Sequence, residues 1–315
     1  MRLLSVRVLL TSASRYPARR GGNGSSRVHD ALAKGLAELG HEVLYSVRDG
    51  YGAPLPPGVV AVDRTTVDAD VYHFNDYPYS GAPPPPGKPW IRTFHAPVEQ
   101  SAELRPLMSG HFVFVSKAQA SSYGFDRYVW NGIDPEEFVY AETKSDDFLF
   151  LVSDLSRAET KGLSIAVAVA EHLGTRLYVG GNIDIPPPIL SPNVFYIGAV
   201  CDAEKAELLA RSRALLFPTQ MTESFGLVIA EAMISGTPVI ASRYGSPPEL
   251  IAPDTGFTCD TLEDYFAASE RLDDISPAAC RRHALSEFHY RRMASRYVEE
   301  YSKEISHALG RETRL

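Results

Sequence analysis

Short apolar runs alternate with helix-period stretches along most of this chain, and the alternation occurs twice. The first series opens with an apolar run at Val6–Leu10, and a helix-period stretch follows at Arg27–Leu39. Polar sequence from Asp134 to Asp147 interrupts the pattern before a second series begins at Phe148. Strands that alternate with helices predict parallel sheets covered on both faces. We therefore predict an α/β protein of two doubly wound domains, with the boundary near residue 140.

The remaining predicted elements share the same signals, namely short apolar runs for strands and an apolar period of 3.6 for helices. Further strands are predicted at Glu42–Ser46, Val59–Val62, Val71–Phe74, Trp90–Phe94, Phe112–Val115, Phe148–Val152, Arg176–Val179, Val194–Ile197, Ala214–Phe217 and Pro238–Ala241. Helices of the second series are predicted near Leu163–His172, Ala203–Ser212 and Gly226–Ser235, and a polar helix near Ser286–Leu309.

Composition excludes several classes of protein. The 315 residues carry a net charge of -8, which disfavours broad binding to nucleic acid or anionic membranes. The three cysteines show no CxxC spacing, so neither a disulfide framework nor a zinc site is indicated. Arg7 interrupts the first apolar run, which argues against a signal peptide, and no run approaches the roughly 20 apolar residues of a membrane span. A cytoplasmic protein is expected.

The stretch Thr222–Met233 carries the most chemical information. It follows a predicted strand and opens a helix, with Glu223 in the loop and Glu231 two turns inside the helix. First-turn amides have no helical acceptor and can therefore bind a phosphate or a sugar hydroxyl; here they belong to Phe225, Gly226, Leu227 and Val228. Carboxylates at such a position can accept hydrogen bonds from the hydroxyls of a neutral polyol. Two isolated glutamates would instead be interpreted as ordinary helix acids.

This stretch, continued by Ser235–Ala241, resembles the Glu-x7-Glu signature of the family 4 retaining glycosyltransferases. The resemblance extends in family order to Gly21-Gly22, Gly40–Val43, Asp70–His73, Val115-Ser116, Asn131–Asp134 and Gly245–Leu250. It implies the GT-B fold, in which two Rossmann-like domains enclose a cleft. Residues 1–140 would bind the acceptor, residues 141–289 would bind the nucleotide sugar, and a helix at about 290–315 would cross back to the first domain.

The resemblance also implies roles for residues of the second domain. Glu231 would bind the ribose hydroxyls, Glu223 would contact the transferred sugar, and the amides of Phe225 to Val228 would hold the sugar and phosphate. Arg157 and Lys161 would bind the diphosphate. The family usually separates this arginine and lysine by four residues, and here three lie between them, so Arg157 requires a local shift of the loop. Two exposed cations on a loop are the alternative interpretation.

First-domain roles follow from the same resemblance. His95, at the end of a predicted strand, would face the donor sugar and orient or stabilise it, although a hydrogen-bonded core histidine is the alternative. Gly21 and Gly22 would approach the diphosphate. The candidate acceptor contacts are Asn23, Tyr77 and Tyr79.

Recognition of the base is less specific. Val200 lies in a segment that resembles the family's base-binding loop. Asp202 and Lys205 match positions used by some guanine-nucleotide enzymes. The equally plausible alternatives are that Asp202 is a helix N-cap and that Lys205 is a solvated lysine. Asp68-Ala69-Asp70 has the Asp-x-Asp form of metal-dependent enzymes but lies away from the other motifs, so we expect no metal and no cofactor.

The resemblance implies a retaining, metal-independent hexosyl transfer from a UDP- or GDP-sugar to a hydroxyl acceptor by front-face substitution. The alternatives are a sugar-nucleotide epimerase of the same fold and a non-catalytic sugar-nucleotide-binding partner protein. Glu99 and Glu103 beside a single Arg105 favour a soluble acceptor, such as a natural-product scaffold or a small metabolite, over a lipid-linked one. The expected partners are a nucleotide sugar and a small or carbohydrate-containing acceptor of bacterial glycoconjugate or natural-product biosynthesis. Neither nucleic acid nor stable membrane insertion is expected, and weak peripheral membrane association remains open.

Overall fold

The computed structural model of the chain describes residues 5–12, 14–18, 24–63, 67–75, 86–96, 102–182 and 191–312. The chain divides into two compact units, Met1–Ile133 with Phe288–Leu315, and Asp134–Glu287. The Ile133 amide donates to the Phe288 carbonyl (2.8 Å), and the Tyr290 amide donates to the Ile133 carbonyl (3.0 Å). The chain therefore leaves the first unit after Ile133 and re-enters it at Phe288, at adjacent points.

The first unit contains one six-stranded sheet whose strands all pair in parallel. Its strands are β1 (Arg7–Ser12), β2 (Glu42–Val47), β3 (Val59–Ala61), β4 (Val71–Phe74), β5 (Trp90–Phe94) and β6 (Phe112–Phe114). Its first helices are α1 (Gly24–Glu38) and α2 (Lys117–Tyr123), with a 3-10 turn at Ala102–Leu107. The strand order is β3-β2-β1-β4-β5-β6, so it reverses between β1 and β4, where open α/β sheets bind ligands.

The second unit repeats this topology. Its strands are β7 (Phe148–Asp154), β8 (Leu177–Asn182), β9 (Val194–Gly198), β10 (Ala214–Phe217), β11 (Val239–Ser242) and β12 (Gly256–Cys259). Its helices are α3 (Leu163–Leu173), α4 (Asp202–Arg211), α5 (Leu227–Ile234), α6 (Pro247–Leu250), α7 (Leu262–Glu270) and α8 (Pro277–Glu287). Short 3-10 turns lie at Pro135–Glu137, Leu155–Arg157 and Leu272–Asp274. The order β12-β11-β10-β7-β8-β9 reverses between β10 and β7.

The central strands explain why the apolar runs of the sequence do not alternate with polar residues. Strands β4, β10 and β11 are buried along their whole length. A strand of a parallel sheet that is covered on both faces needs an apolar side chain at nearly every position. The predicted α/β architecture of two parallel sheets is confirmed.

The last helix, α9 (Tyr290–Glu312), belongs to the first unit. Tyr297 and Tyr301 lie one turn apart, so they share a face of α9, and both are buried. The Tyr301 hydroxyl lies 2.8 Å from His73 Nδ1, and the Tyr297 hydroxyl lies 2.7 Å from Thr93 Oγ1. These tyrosines therefore attach α9 to strands β4 and β5.

The structure also contains elements that the sequence patterns do not predict, namely β12, α2, α6, α7 and α8. β12 has the sequence Gly-Phe-Thr-Cys, which carries no apolar run. Helices α2 and α6 span seven and four residues, too few for a helical period to emerge. Among the described residues, no helix combines the length and the apolar character needed to cross a membrane.

Candidate functional site

The N-terminus of α5 is open in the second unit. Gly226 precedes the helix with φ +77°, in the left-handed region that glycine adopts without strain, and no side chain caps the helix there. The first-turn amides of Leu227 and Val228 have no intrahelical acceptor. A Cβ built on Gly226 would lie 3.0 Å from Ile229 Cδ1 and 3.4 Å from Glu223 Cγ. Glycine therefore keeps this helix end accessible to a ligand.

The segment 244–246 holds the loop before α5 in place. The Glu223 amide donates to the Tyr244 carbonyl (3.1 Å), and the Ser246 amide donates to the Glu223 carbonyl (3.0 Å). The Ser246 hydroxyl also donates to the Phe225 carbonyl at 2.9 Å. A Cβ on Gly245, which has φ +87°, would lie only 2.2 Å from the Glu223 carbonyl oxygen. Gly245 thus allows the close backbone approach that fixes Glu223.

Lys161 and Glu223 form an ion pair in the second unit. Lys161 Nζ lies 2.8 Å from Glu223 Oε2, and the two side chains are 23% and 17% exposed. The ammonium also lies 5.9 Å from the centre of the Phe217 ring. The structure therefore brings together the residue expected to hold the diphosphate and the residue expected to contact the sugar. Their partial burial strengthens the interaction over that of a surface pair.

Arg157 lies beside the same loop. It ends the 3-10 turn that follows β7, and its Nη2 donates to Met221 Sδ at 3.4 Å. The Gln220 amide donates to the Thr160 carbonyl at 2.9 Å. A Cβ on Gly162 would lie 2.0 Å from the Pro218 carbonyl oxygen. The loop that carries Arg157 and Lys161 is thus packed against the loop that carries Glu223.

Glu231 is nearly buried on α5, and its carboxylate is paired with Lys205 of α4. Lys205 Nζ donates to both carboxylate oxygens, at 2.9 and 2.8 Å. Glu231 is 5% exposed and Lys205 is 18% exposed. The interpretation of Lys205 as a solvated lysine is therefore wrong, because a buried carboxylate requires a partner charge. The sequence spacing alone could not show this pairing.

The segment expected to contact the base connects β9 with α4. Cys201 occupies the N-cap position of α4, and Asp202 is the first residue of the helix at φ +34°. The N-cap interpretation of Asp202 is therefore wrong by one residue. Val200 is half-buried, and its Cγ2 would lie 3.3 Å from a Cβ on Gly180. Its side chain packs towards β8, so its predicted ligand contact would be made by the backbone.

In the first unit, His95 follows β5 and is half-buried. Its Nε2 lies 3.0 Å from Nε2 of His29 on α1, and the ring centres are 4.9 Å apart. Burial lowers the pKa of His95 to about 4 and lowers that of His29 well below its ordinary value. Burial also lowers the pKa of His73. We call His29, His73 and His95 the histidine cluster; all three are neutral at pH 7.

Asn75 is a further polar residue that the sequence analysis missed. It follows β4 at the point where the strand order of the first sheet reverses, and it is 6% exposed. Its amide oxygen and nitrogen both lack a hydrogen-bond partner among the residues that the structure describes. An unsatisfied buried amide is costly, so its presence at a switch point marks it as a candidate ligand contact. His29 and Asn75 carry no motif, so no sequence signal distinguishes them.

Several predicted site residues lie outside the described residues. They are Gly21, Gly22, Asn23, Tyr77 and Tyr79. Within the part of the chain that the structure describes, no group of three or more His, Cys, Asp and Glu side chains has an arrangement that could hold a metal ion.

Comparisons with known proteins agree with the fold and the sequence motifs. Residues 189–292 match the family model of the glycosyl transferases group 1. The sucrose synthase of Acidithiobacillus caldus is 35% identical over 120 residues, which cover 35% of this chain and 15% of that protein. The chain therefore matches only a small part of this relative's length.

Solved structures share the whole fold. AviGT4, a glycosyltransferase involved in avilamycin A biosynthesis, is 24% identical with a TM-score of 0.78, covering 96% of this chain and 98% of that one. HepE of Anabaena, solved in complex with UDP-glucose, is 14% identical with a TM-score of 0.63, covering 95% and 100%. At these identities the likeness establishes the GT-B fold. Residues 189–292 are therefore similar to the glycosyl transferases group 1, and nearly the whole chain has the GT-B fold.

Proposed function

We propose that the chain is a retaining glycosyltransferase that moves a sugar from a nucleotide diphosphosugar to a hydroxyl acceptor without a metal ion. The Lys161–Glu223 ion pair beside the open N-terminus of α5 is the observation that carries the proposal. It combines a cation, a carboxylate and first-turn amides without an acceptor in the helix on one scaffold. A diphosphate, a polyol and a negatively charged leaving group need these three kinds of partner.

Each group has a role in the proposed reaction. Lys161 and Arg157 offset the charge that develops on the leaving diphosphate, an electrostatic contribution of about 2.7–4 kcal/mol per well-placed donor. Glu223 accepts hydrogen bonds from the transferred sugar, and the α5 amides bind its phosphate. In front-face substitution the diphosphate oxygen takes the proton of the acceptor hydroxyl, so no carboxylate nucleophile is required.

Glu231 would bind the ribose of the donor nucleotide. Lys205 holds the Glu231 carboxylate through hydrogen bonds to both of its oxygens, and a carboxylate accepts the paired hydrogen bonds that the vicinal hydroxyls of a ribose donate. HepE, which has the same fold, was solved with UDP-glucose. We propose a UDP- or GDP-sugar as the donor, and a small or carbohydrate-containing acceptor that would contact the first unit, in a cytoplasmic protein.

A donor screen followed by product analysis tests this proposal. UDP- and GDP-sugars are screened by thermal shift, because a ligand that binds only the folded chain raises its melting temperature. The stabilising donor is then incubated with hydroxyl acceptors in EDTA, and the product's anomeric configuration is read by NMR. Transfer with retention is expected. An inverted product, or a requirement for added metal, would contradict the mechanism.

A matched pair of variants identifies the site. Glu223→Gln should lower transfer at least tenfold, because it removes a charged acceptor that contributes about 1.5–3 kcal/mol. Glu207→Gln replaces a half-exposed glutamate of α4 and should leave transfer unchanged. Formation of a new sugar nucleotide from donor alone would instead identify an epimerase.

A further inference from the structure

The charged groups of the Lys161–Glu223 pair depend on each other. Lys161 Nζ donates to Glu223 Oε2 at 2.8 Å, and both side chains are largely buried. Within the part of the chain that the structure describes, the Lys161 ammonium has no other hydrogen-bond partner and the Glu223 carboxylate has no other ion-pair partner. A ligand that engages one member of the pair must therefore compensate the other, because an unpaired charge in a largely buried position is costly.

The backbones that carry the two charges are both held in place. Glu223 forms an isolated parallel bridge with Gly245. The Lys161 amide donates to the carbonyls of Arg157 at 3.0 Å and Ala158 at 3.1 Å. The two charges can therefore separate by rotation of their side chains, without a change in either backbone. A diphosphate bound at Lys161 must share the ammonium with Glu223 or displace the carboxylate from it.

A free nucleoside diphosphate and a sugar nucleotide differ in the charge of the second phosphate. In the free diphosphate this phosphate is terminal and carries roughly −1.5 to −2 charges at pH 7, as phosphate monoesters do. In the sugar nucleotide it is esterified to the sugar and carries a single negative charge. If Lys161 contacts both anions, their oxygens lie within about 6 Å of each other, since each is one hydrogen-bond length from the same nitrogen. The repulsion from Glu223 is therefore larger for the free diphosphate.

The sugar also supplies hydrogen-bond donors that the free diphosphate lacks at this position. A carboxylate only accepts hydrogen bonds, so the hydroxyls of the sugar can replace the Lys161 ammonium as partners of Glu223. Lys161 is then available to the diphosphate. Without a sugar, Glu223 either keeps the ammonium or loses its only charged partner among the described residues.

We propose that the Lys161–Glu223 pair makes the second unit bind an intact sugar nucleotide in preference to the free nucleoside diphosphate, with Glu223 as the residue that discriminates between them. The same contact favours release of the diphosphate after transfer, because Glu223 loses the sugar hydroxyls and returns to Lys161. This inference rests on the proposed function, since it takes the diphosphate to bind at Lys161.

Isothermal titration calorimetry of the full chain tests the discrimination. UDP and GDP are titrated, and the one that binds is compared with its sugar nucleotide of largest thermal shift. In Glu223→Gln the free diphosphate should bind about fivefold or more tightly, because a largely buried charge contributes more than an exposed one. The sugar nucleotide should bind more weakly to the same variant, because an amide oxygen is a weaker acceptor than a carboxylate. Damage to the fold would weaken both ligands and cannot give opposite signs.

Two further variants complete the measurement. Glu207→Gln removes a half-exposed carboxylate of α4 and should change neither affinity. Glu223→Ala also removes the carboxylate and gives the same comparison if the glutamine variant does not fold. Unchanged or weaker binding of the free diphosphate to a folded Glu223 variant would overturn the inference.

Transfer assays separate this inference from the proposed function. With an active donor and acceptor, inhibition by the free diphosphate should strengthen in Glu223→Gln by the same factor as its affinity. Transfer by the natural chain, combined with unchanged diphosphate affinity in the variant, would keep the proposed function and overturn the discrimination. Tighter diphosphate binding in the variant, without transfer by the natural chain to any acceptor, would support the discrimination and contradict the transferase. If UDP, GDP and their sugars all fail to bind the natural chain, both proposals fail.

Discussion

Lys205→Met offers a quantitative test of the second unit. It leaves the Glu231 carboxylate, which is 5% exposed, without the ammonium that donates to both of its oxygens. Removing one partner of a buried ion pair costs about 3–5 kcal/mol, because an uncompensated charge remains in the protein interior. The 18% exposure of Lys205 places the expected loss near the lower limit, about 3 kcal/mol. For a unit of this size, that corresponds to a fall in Tm of roughly 6–12 °C.

The assay is urea and thermal unfolding without nucleotide, compared across the natural chain and three variants. The double variant Lys205→Met/Glu231→Leu removes both charges and should recover to within about 1 kcal/mol of the natural chain. Arg211→Met breaks an exposed pair with Glu207 and should cost less than about 1 kcal/mol. Nucleotide binding should survive in Lys205→Met and be lost in the double variant. A loss in Lys205→Met no larger than that in Arg211→Met would refute the idea that Glu231 is desolvated.

Three further predictions concern other parts of the molecule. Gly245→Ala should unfold at lower temperature and lose transfer, because its Cβ would collide with the Glu223 backbone. Gly174→Ala, at a similar φ, meets open space and should retain activity, so equal losses in both variants would contradict this reasoning. Asn75→Leu should raise the unfolding free energy by about 1 kcal/mol and lower transfer, since it removes two buried polar atoms that have no partner in the described part of the chain; a destabilised variant would show that the amide has a partner. The free energy of unfolding should fall as pH falls from about 6.5 towards 4, because histidines of the unfolded chain bind protons that the buried histidine cluster does not bind. The slope is up to about 1.4 kcal/mol per pH unit for each histidine. Urea unfolding that proceeds without histidine proton uptake in this range would exclude the cluster as the cause.

Sequence patterns were sufficient for much of the fold. Strands β4, β5 and β10 have the predicted bounds, because a short apolar run between polar segments suits only a buried strand. Element β12 was missed because it is held by its neighbour, with Val239 paired to Gly256, rather than by a periodic pattern of its own.

The candidate site was predictable to a different degree in each unit. Glu223, Glu231 and Lys161 lie in ordered motifs, and the structure brings Glu223 and Lys161 into one ion pair. No local signal predicts the pairing of Lys205 with Glu231 or the contact of His29 with His95, because the partners are distant in sequence. The predicted roles of all these residues remain predictions until a ligand is observed.

The sequence by itself determined two α/β repeats, the family resemblance and the glycine at the open end of α5, because these depend on local periodicity and on backbone conformations that short motifs encode. Only the tertiary structure decided which charges are paired and which histidine nitrogen is engaged. Glu231 of α5 is paired with Lys205 of α4, and His95, which follows β5, contacts His29 of α1. Such contacts arise from burial, which obliges polar groups from distant parts of the chain to satisfy one another.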